Sequence, residues 1–212
     1  MLPYTGVRIC FWLRMNLPNA ITLSRIPLMF VIVLLMHYTW PGAATIAFAL
    51  FLVAAVGDWL DGYLARRRRQ ISSFGKLMDA MADKIMILGL VIALVEIHEL
   101  PIFLALVTLC REFFVTGMRM DAASKGVVVA ADGGGKSKTV TQLVALGFYL
   151  FFPVVDIDGT HLFHWDARDA SHVIFLLGYY IFIASTVLSV WSGWRYISRN
   201  ARFVFGDDPR TP

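Results

Sequence analysis

Four aspartates, Asp58, Asp61, Asp79 and Asp83, flank a basic run, Arg66 to Arg69. Asp58 and Asp61 are three residues apart and Asp79 and Asp83 four apart, so on helices each pair occupies one face. Two helices meeting there would converge four carboxylates on one point. The surrounding sequence is apolar, and an Asp inside a bilayer costs about 2.5–3.5 kcal/mol on insertion scales, with mutual repulsion added. A hard divalent cation removes both penalties, and Mg²⁺ suits carboxylates shared with a substrate phosphate. Helix capping or pairing with Arg66 to Arg69 would need neither four acids nor their facing spacings.

The elements that must position these acids follow from composition. With 58% hydrophobic and 16% charged residues in 212, the chain is too apolar for an ordinary soluble domain and reads as an integral membrane protein. Cys10 and Cys110 are far apart and form neither a disulfide framework nor a zinc spacing. The net charge of +4 sits in basic residues flanking apolar spans, which suits topology signals and lipid-phosphate contacts, and no nucleic-acid-binding motif is present.

The pattern predicts an all-α integral membrane protein with six transmembrane helices and a short N-terminal interfacial segment. The spans fall near Ile21 to Met36, Ala43 to Ala65, Leu77 to Val95, Pro101 to Met118, Val140 to Val155 and Val173 to Trp194. Residues 1–14 read as an interfacial helix or an alternative-start extension ahead of Met15, residues 15–198 as the membrane domain, and 199–212 as a loose C-terminal tail.

Basic residues place both termini, the Arg66 to Lys76 loop and the Arg119 to Lys138 loop in the cytoplasm. The opposite loops carry Glu96, Glu99, Asp156, Asp158, Asp166 and Asp169, with Arg168 their only Lys or Arg. The aspartates then lie near headgroup depth on the cytoplasmic side. His161, His164 and His172 fall in the outer loop, too far away to serve as ligands there.

A second polar group interrupts the fourth span: Arg111 and Glu112, with Arg119 near its end. An intramembrane Arg serves either as an internal salt bridge fixing helix packing or as an anion site beside the metal centre. The following D-G-G-G-K-S-K-T, Asp132 to Thr139, lacks the earlier glycine and the strand of a nucleotide-binding P-loop. Gly133 to Gly135 instead read as a loop that lets backbone N–H groups and Lys136 and Lys138 approach a small phosphate.

Written out, the acidic region is D-x-x-D-G-x-x-A-R, eight residues, then G-x-x-x-D-x-x-x-D, filled by Asp58, Asp61, Gly62, Ala65, Arg66, Gly75, Asp79 and Asp83. This resembles the signature of the CDP-alcohol phosphotransferase family at every fixed position. From Met15 to Gln142 the chain looks most like that family's phosphatidylglycerophosphate synthases, through the N-L-P-N-A-I-T-L-S-R start, Arg111-Glu112-Phe113, Arg119, and Gly135, Lys136, Lys138, Thr139 and Gln142. Ala80 stands where that branch usually has Pro.

The resemblance implies phosphatidyl transfer from CDP-diacylglycerol to sn-glycerol 3-phosphate. It implies two divalent ions, Mg²⁺ or Mn²⁺, on Asp58, Asp61, Asp79 and Asp83, with Asp83 also the general base. Gly62, Ala65, Arg66 and Gly75 would then take the CDP-lipid, Arg111, Arg119, Lys136, Lys138 and Arg25 the acceptor phosphate, and the protein would work as a homodimer in the cell membrane. Other acceptors (inositol phosphate, serine, phosphatidylglycerol), a cation transporter and a noncatalytic lipid binder remain open readings.

Overall fold

The computed structural model describes the backbone of residues 17–38, 40–68, 73–124, 133–163 and 168–205, and the side chains of 23–38, 40–57, 81–82, 84–120, 137–161 and 168–198. Apart from residues 38, 40–42 and 97–101, the described residues are helical, and no strand occurs among them. The helices are α1 Leu17–His37, α2 Ala43–Arg68, α3 Ser73–Glu96, α4 Ile102–Ser124, α5 Gly133–Pro153, a π turn Val154–Asp158, α6 Gly159–Phe163 and α7 Arg168–Phe205. Each of the six expected apolar segments lies within one long helix, except that Pro101 of the fourth precedes α4 and the fifth runs through α5 into the π turn that continues it.

Two compact units are present, divided within α3 between Leu90 and Val91. In the first, α1 packs on α2. The buried face of α2 is made by Ala43, Ala47, Phe51 and Ala54, recurring at helical spacing, so small side chains permit close backbone approach. Met29 of α1 lies directly over Gly89 of α3, where any side chain would collide.

In the second unit α7 packs on both α5 and α4. A Cβ at Gly178 would come 3.2 Å from the Phe148 Cβ and 3.4 Å from the Tyr149 nitrogen, so glycine sets the α5–α7 separation. Tyr149 meets Phe175 and Phe182 edge-on, at 5.7 and 6.5 Å between centroids. Thr108 and Thr186 hydroxyls face each other at 3.4 Å across α4 and α7.

Two described stretches, Ser137–His161 and Arg168–Ser198, are long and apolar enough to cross a bilayer, and only 28% of each apolar window is buried. The core helix of a soluble protein would be mostly covered. Here Phe103, Tyr180, Trp191 and Trp194 face outward, as lipid-contacting residues do. Leu23–His37 and Ala43–Gly57 are shorter apolar helical stretches.

Three expectations are corrected. The Arg119 to Lys138 segment is not all loop, because α4 runs to Ser124 and α5 begins at Gly133. Hydropathy marks the apolar part of a helix, and polar end turns carry no such mark. Gly133 to Gly135 form the first turn of α5, where N–H groups lack intrahelical partners in any case. At the other end of α5, Pro153 has no N–H to donate, and the chain widens into a π turn closed by the Gly159 N–H on the Val154 carbonyl. Asp156 and Asp158 therefore lie in helical structure, Asp158 fully buried, and His161 is on α6. Finally, α7 continues through Phe205, beyond the expected start of the tail at 199. Residues 1–14, His164 and 206–212 lie outside the described residues.

Gly178→Leu is expected to lower the thermal unfolding midpoint of the detergent-solubilised protein, by overpacking worth about 1–3 kcal/mol. Gly117→Ala, at a position with nothing within 4 Å of the added carbon, is expected not to lower it.

Candidate active site

The aspartates lie on α2 and α3. Asp61 is seven residues from the last residue of α2 and Asp79 six from the first of α3, about 10 Å along each axis at helical rise. Asp58 and Asp83 are each ten residues from the same ends, about 15 Å. The connection, residues 69–72, is too short to separate those ends by more than about 18 Å. Counted along the chain, the two acid pairs are therefore set back by similar lengths from that connection. Their side chains, with those of Gly62, Ala65, Arg66 and Gly75, lie outside the described set; all eight positions are helical. Among the described residues no three His, Cys, Asp or Glu side chains gather as metal ligands.

Arg25 sits on α1, eight residues from its first residue, about 12 Å along the axis. Because α1 and α2 pack together across the short 38–42 connection, this end of α1 is the end of α2 that carries Asp58 and Asp61. Arg25 is 2% exposed and engaged in interactions.

In the second unit one carboxylate organises the cations. Glu112 Oε1 accepts from Arg111 Nη1 at 2.9 Å and is ion-paired with Lys138 Nζ of α5. Arg111 Nε donates to the Ser189 carbonyl at 2.9 Å and Nη2 to Ser192 Oγ at 3.1 Å, both on α7. Among the described residues the guanidinium thus uses three of its five donors. Its stem lies against Gly193, where a Cβ would stand 3.5 Å from Arg111 Cγ. Arg111 is therefore an internal pin between α4 and α7, and it keeps donors to spare.

Lys138 is 4% exposed, a depth at which a cation needs a partner, and Glu112 supplies it. One turn further along α5, Gln142 is buried, and its amide nitrogen has no hydrogen-bond partner among the described residues. Arg119 stacks its guanidinium 5.5 Å above the Tyr196 ring and stays exposed. The Lys136 side chain lies outside the described set.

The structure thus brings Arg111 and Lys138 together through Glu112, and holds Arg119 separately on Tyr196. Sequence reasoning missed Glu112 as the shared counter-charge, and Ser189 and Ser192 as anchors. An acid beside an intramembrane Arg was the available signal for Glu112. Nothing in the spacing pointed to α7.

Glu112→Gln would take the shared carboxylate from part-buried Arg111 and buried Lys138, and thermal unfolding in detergent is expected to show a loss of up to about 3–5 kcal/mol. Adding Lys138→Met should restore a large part of that loss.

The sequence pattern of the CDP-alcohol phosphatidyltransferase family matches residues 15–191, well past the Gln142 limit of the sequence reading. The chain is 36% identical over 201 residues to a CDP-diacylglycerol–glycerol-3-phosphate 3-phosphatidyltransferase of Bacillus subtilis, covering 87% of this chain and 95% of that protein. Proteins of the same name from Escherichia coli and Rickettsia bellii are 33% and 32% identical, covering 88% and 85% of this chain and 95% and 93% of their own lengths. This breadth of likeness places the chain in the CDP-alcohol phosphatidyltransferase family.

Proposed function

We propose that this protein transfers the phosphatidyl group of CDP-diacylglycerol to sn-glycerol 3-phosphate, giving phosphatidylglycerophosphate and CMP. The observation that carries the reading is that Asp58 and Asp61 on α2 and Asp79 and Asp83 on α3 lie within ten residues of the ends of two helices joined by four residues. The relatives' names supply the donor and the acceptor.

Four such carboxylates are a donor set suited to hard divalent ions, Mg²⁺ or Mn²⁺, and Asp58, Asp61, Asp79 and Asp83 would hold them. Such ions, when bound, neutralise pyrophosphate charge and stabilise the departing phosphate. Asp83 takes the proton of the acceptor hydroxyl as its oxygen bonds to the phosphatidyl phosphorus. The bond from that phosphorus to the CMP oxygen breaks, and CMP leaves with the electron pair. Gly62, Ala65 and Gly75 leave room for the cytidine diphosphate, and Arg66 pairs with its phosphates.

Arg119, Lys136, Lys138 and Arg111 hold the acceptor's phosphate, with Arg25 a further cation for it. Arg111 has two guanidinium donors left beyond its bonds to described residues, and with Lys138 joined to it through Glu112 that favours a phosphate over a neutral alcohol. Six helices of 21 residues or more, each at least about 30 Å long, support six membrane crossings. The basic ends of α2, α4 and α7 support a cytoplasmic active site. Likeness to the family supports a homodimer.

Purified protein in detergent is expected to release CMP from CDP-diacylglycerol only with glycerol 3-phosphate and a divalent ion, and not with EDTA, inositol phosphate, serine or phosphatidylglycerol. Release with another acceptor would overturn the choice of alcohol, and no release from folded protein would overturn the reaction. Asp83→Asn is expected to cut turnover by about two orders of magnitude or more. Arg119→Gln should raise the KM for glycerol 3-phosphate about ten-fold, with a smaller effect on the lipid KM.

A further inference from the structure

The turn between α3 and α4 builds a wall that the reaction does not use. His98 closes α3 with φ of 63°, and Glu99 N–H bonds back to the Leu94 carbonyl at 3.0 Å while His98 N–H bonds to the Val95 carbonyl at 3.1 Å. This is the helix-ending arrangement usually made with glycine. It fixes Glu99 at the mouth of a cavity of about 570 Å³ whose walls include Val95, Leu100, Ile102, Phe175 and Tyr179. The cavity lies at the start of α4, seventeen residues from Arg119, about 25 Å along the helix.

Among the described residues the Glu99 carboxylate on the cavity wall has no counter-cation, and the Tyr179 ring lines the same cavity.

We infer that this cavity binds a membrane phospholipid by its primary ammonium headgroup. An ammonium has three N–H donors, and the Glu99 carboxylate and the Tyr179 hydroxyl, both of residues lining the cavity, are acceptors for them; a quaternary ammonium could donate to none. The volume is that of a small-ligand site. Exposed Ile102, Phe103 and Leu176 provide an apolar path for acyl chains. The surrounding charge is complementary: Glu96, Glu99, Asp156, Asp158 and Asp169 stand at this end with Arg168 the only Lys or Arg, and Ser171 Oγ donates to Asp156 Oδ1 at 2.9 Å. Burial and the neighbouring Asp156 push the Glu99 carboxyl up from the usual carboxylate range, a shift that an adjacent ammonium reverses.

The test is native mass spectrometry of the delipidated full-length protein with phosphatidylethanolamine, phosphatidylcholine or phosphatidylglycerol of identical chains. Phosphatidylethanolamine should bind about ten-fold more tightly than the other two, the worth of a charge-assisted hydrogen bond. Glu99→Gln should erase that preference, and Tyr179→Phe should reduce it about three-fold. Ile102→Trp, which fills the cavity mouth and keeps the carboxylate, should weaken binding of phosphatidylethanolamine even if Glu99→Gln does not fold. Equal binding of the three lipids by the unaltered protein, or binding unchanged by Glu99→Gln and by Ile102→Trp, would overturn the assignment. The readout is independent of CMP release.

Discussion

The second unit is built around one shared carboxylate. Glu112 is shared by Arg111 beside it and Lys138 on α5, and Arg111 is tied in turn to the Ser189 carbonyl and the Ser192 hydroxyl on α7. One carboxylate therefore joins three helices. A buried cation without a partner is strongly destabilising, so these helices must keep their register for the charges to stay compensated. Arg111 also keeps two guanidinium donors beyond its bonds to described residues, which an anion can take. Stability and phosphate affinity then come from one cluster.

The first unit solves the opposite problem with backbone register. Asp58 and Asp83 each stand ten residues, and Asp61 and Asp79 seven and six, from the helix ends that a connection of four residues joins. Moving either helix by one residue would offset the two pairs by about 1.5 Å and rotate one of them by about 100°. The small-residue face of α2 and the bare backbone of Gly89 under Met29 lock α1 against both neighbours by close packing, which is how helices gain association energy where water is absent.

Much of this was legible in the residues. The six long helices follow from apolar runs punctuated by polar turns, and the acid pairs from their spacing of three and four. Family membership follows from eight fixed positions. What spacing could not show is pairing across distant sequence. Arg111 meets Ser189 and Ser192, 78 and 81 residues away, and no local rule links them. The π turn after Pro153 was hidden for another reason: Asp156 and Asp158 look like loop residues by polarity, and only the missing proline N–H betrays the wider turn. The helical starts and ends around Lys136, Arg119 and Arg195 were obscured because charged end turns outside the hydrocarbon cost nothing.

The central claim is that the acids of α2 and α3 form one divalent-ion site. Electron paramagnetic resonance of Mn²⁺ bound to the purified protein addresses it without reference to turnover. The account predicts about two spin-coupled ions, as in two-metal sites, with the coupling lost on either Asp61→Asn in α2 or Asp79→Asn in α3. Uncoupled ions, or a substitution in one helix leaving the signal of the other intact, would contradict it.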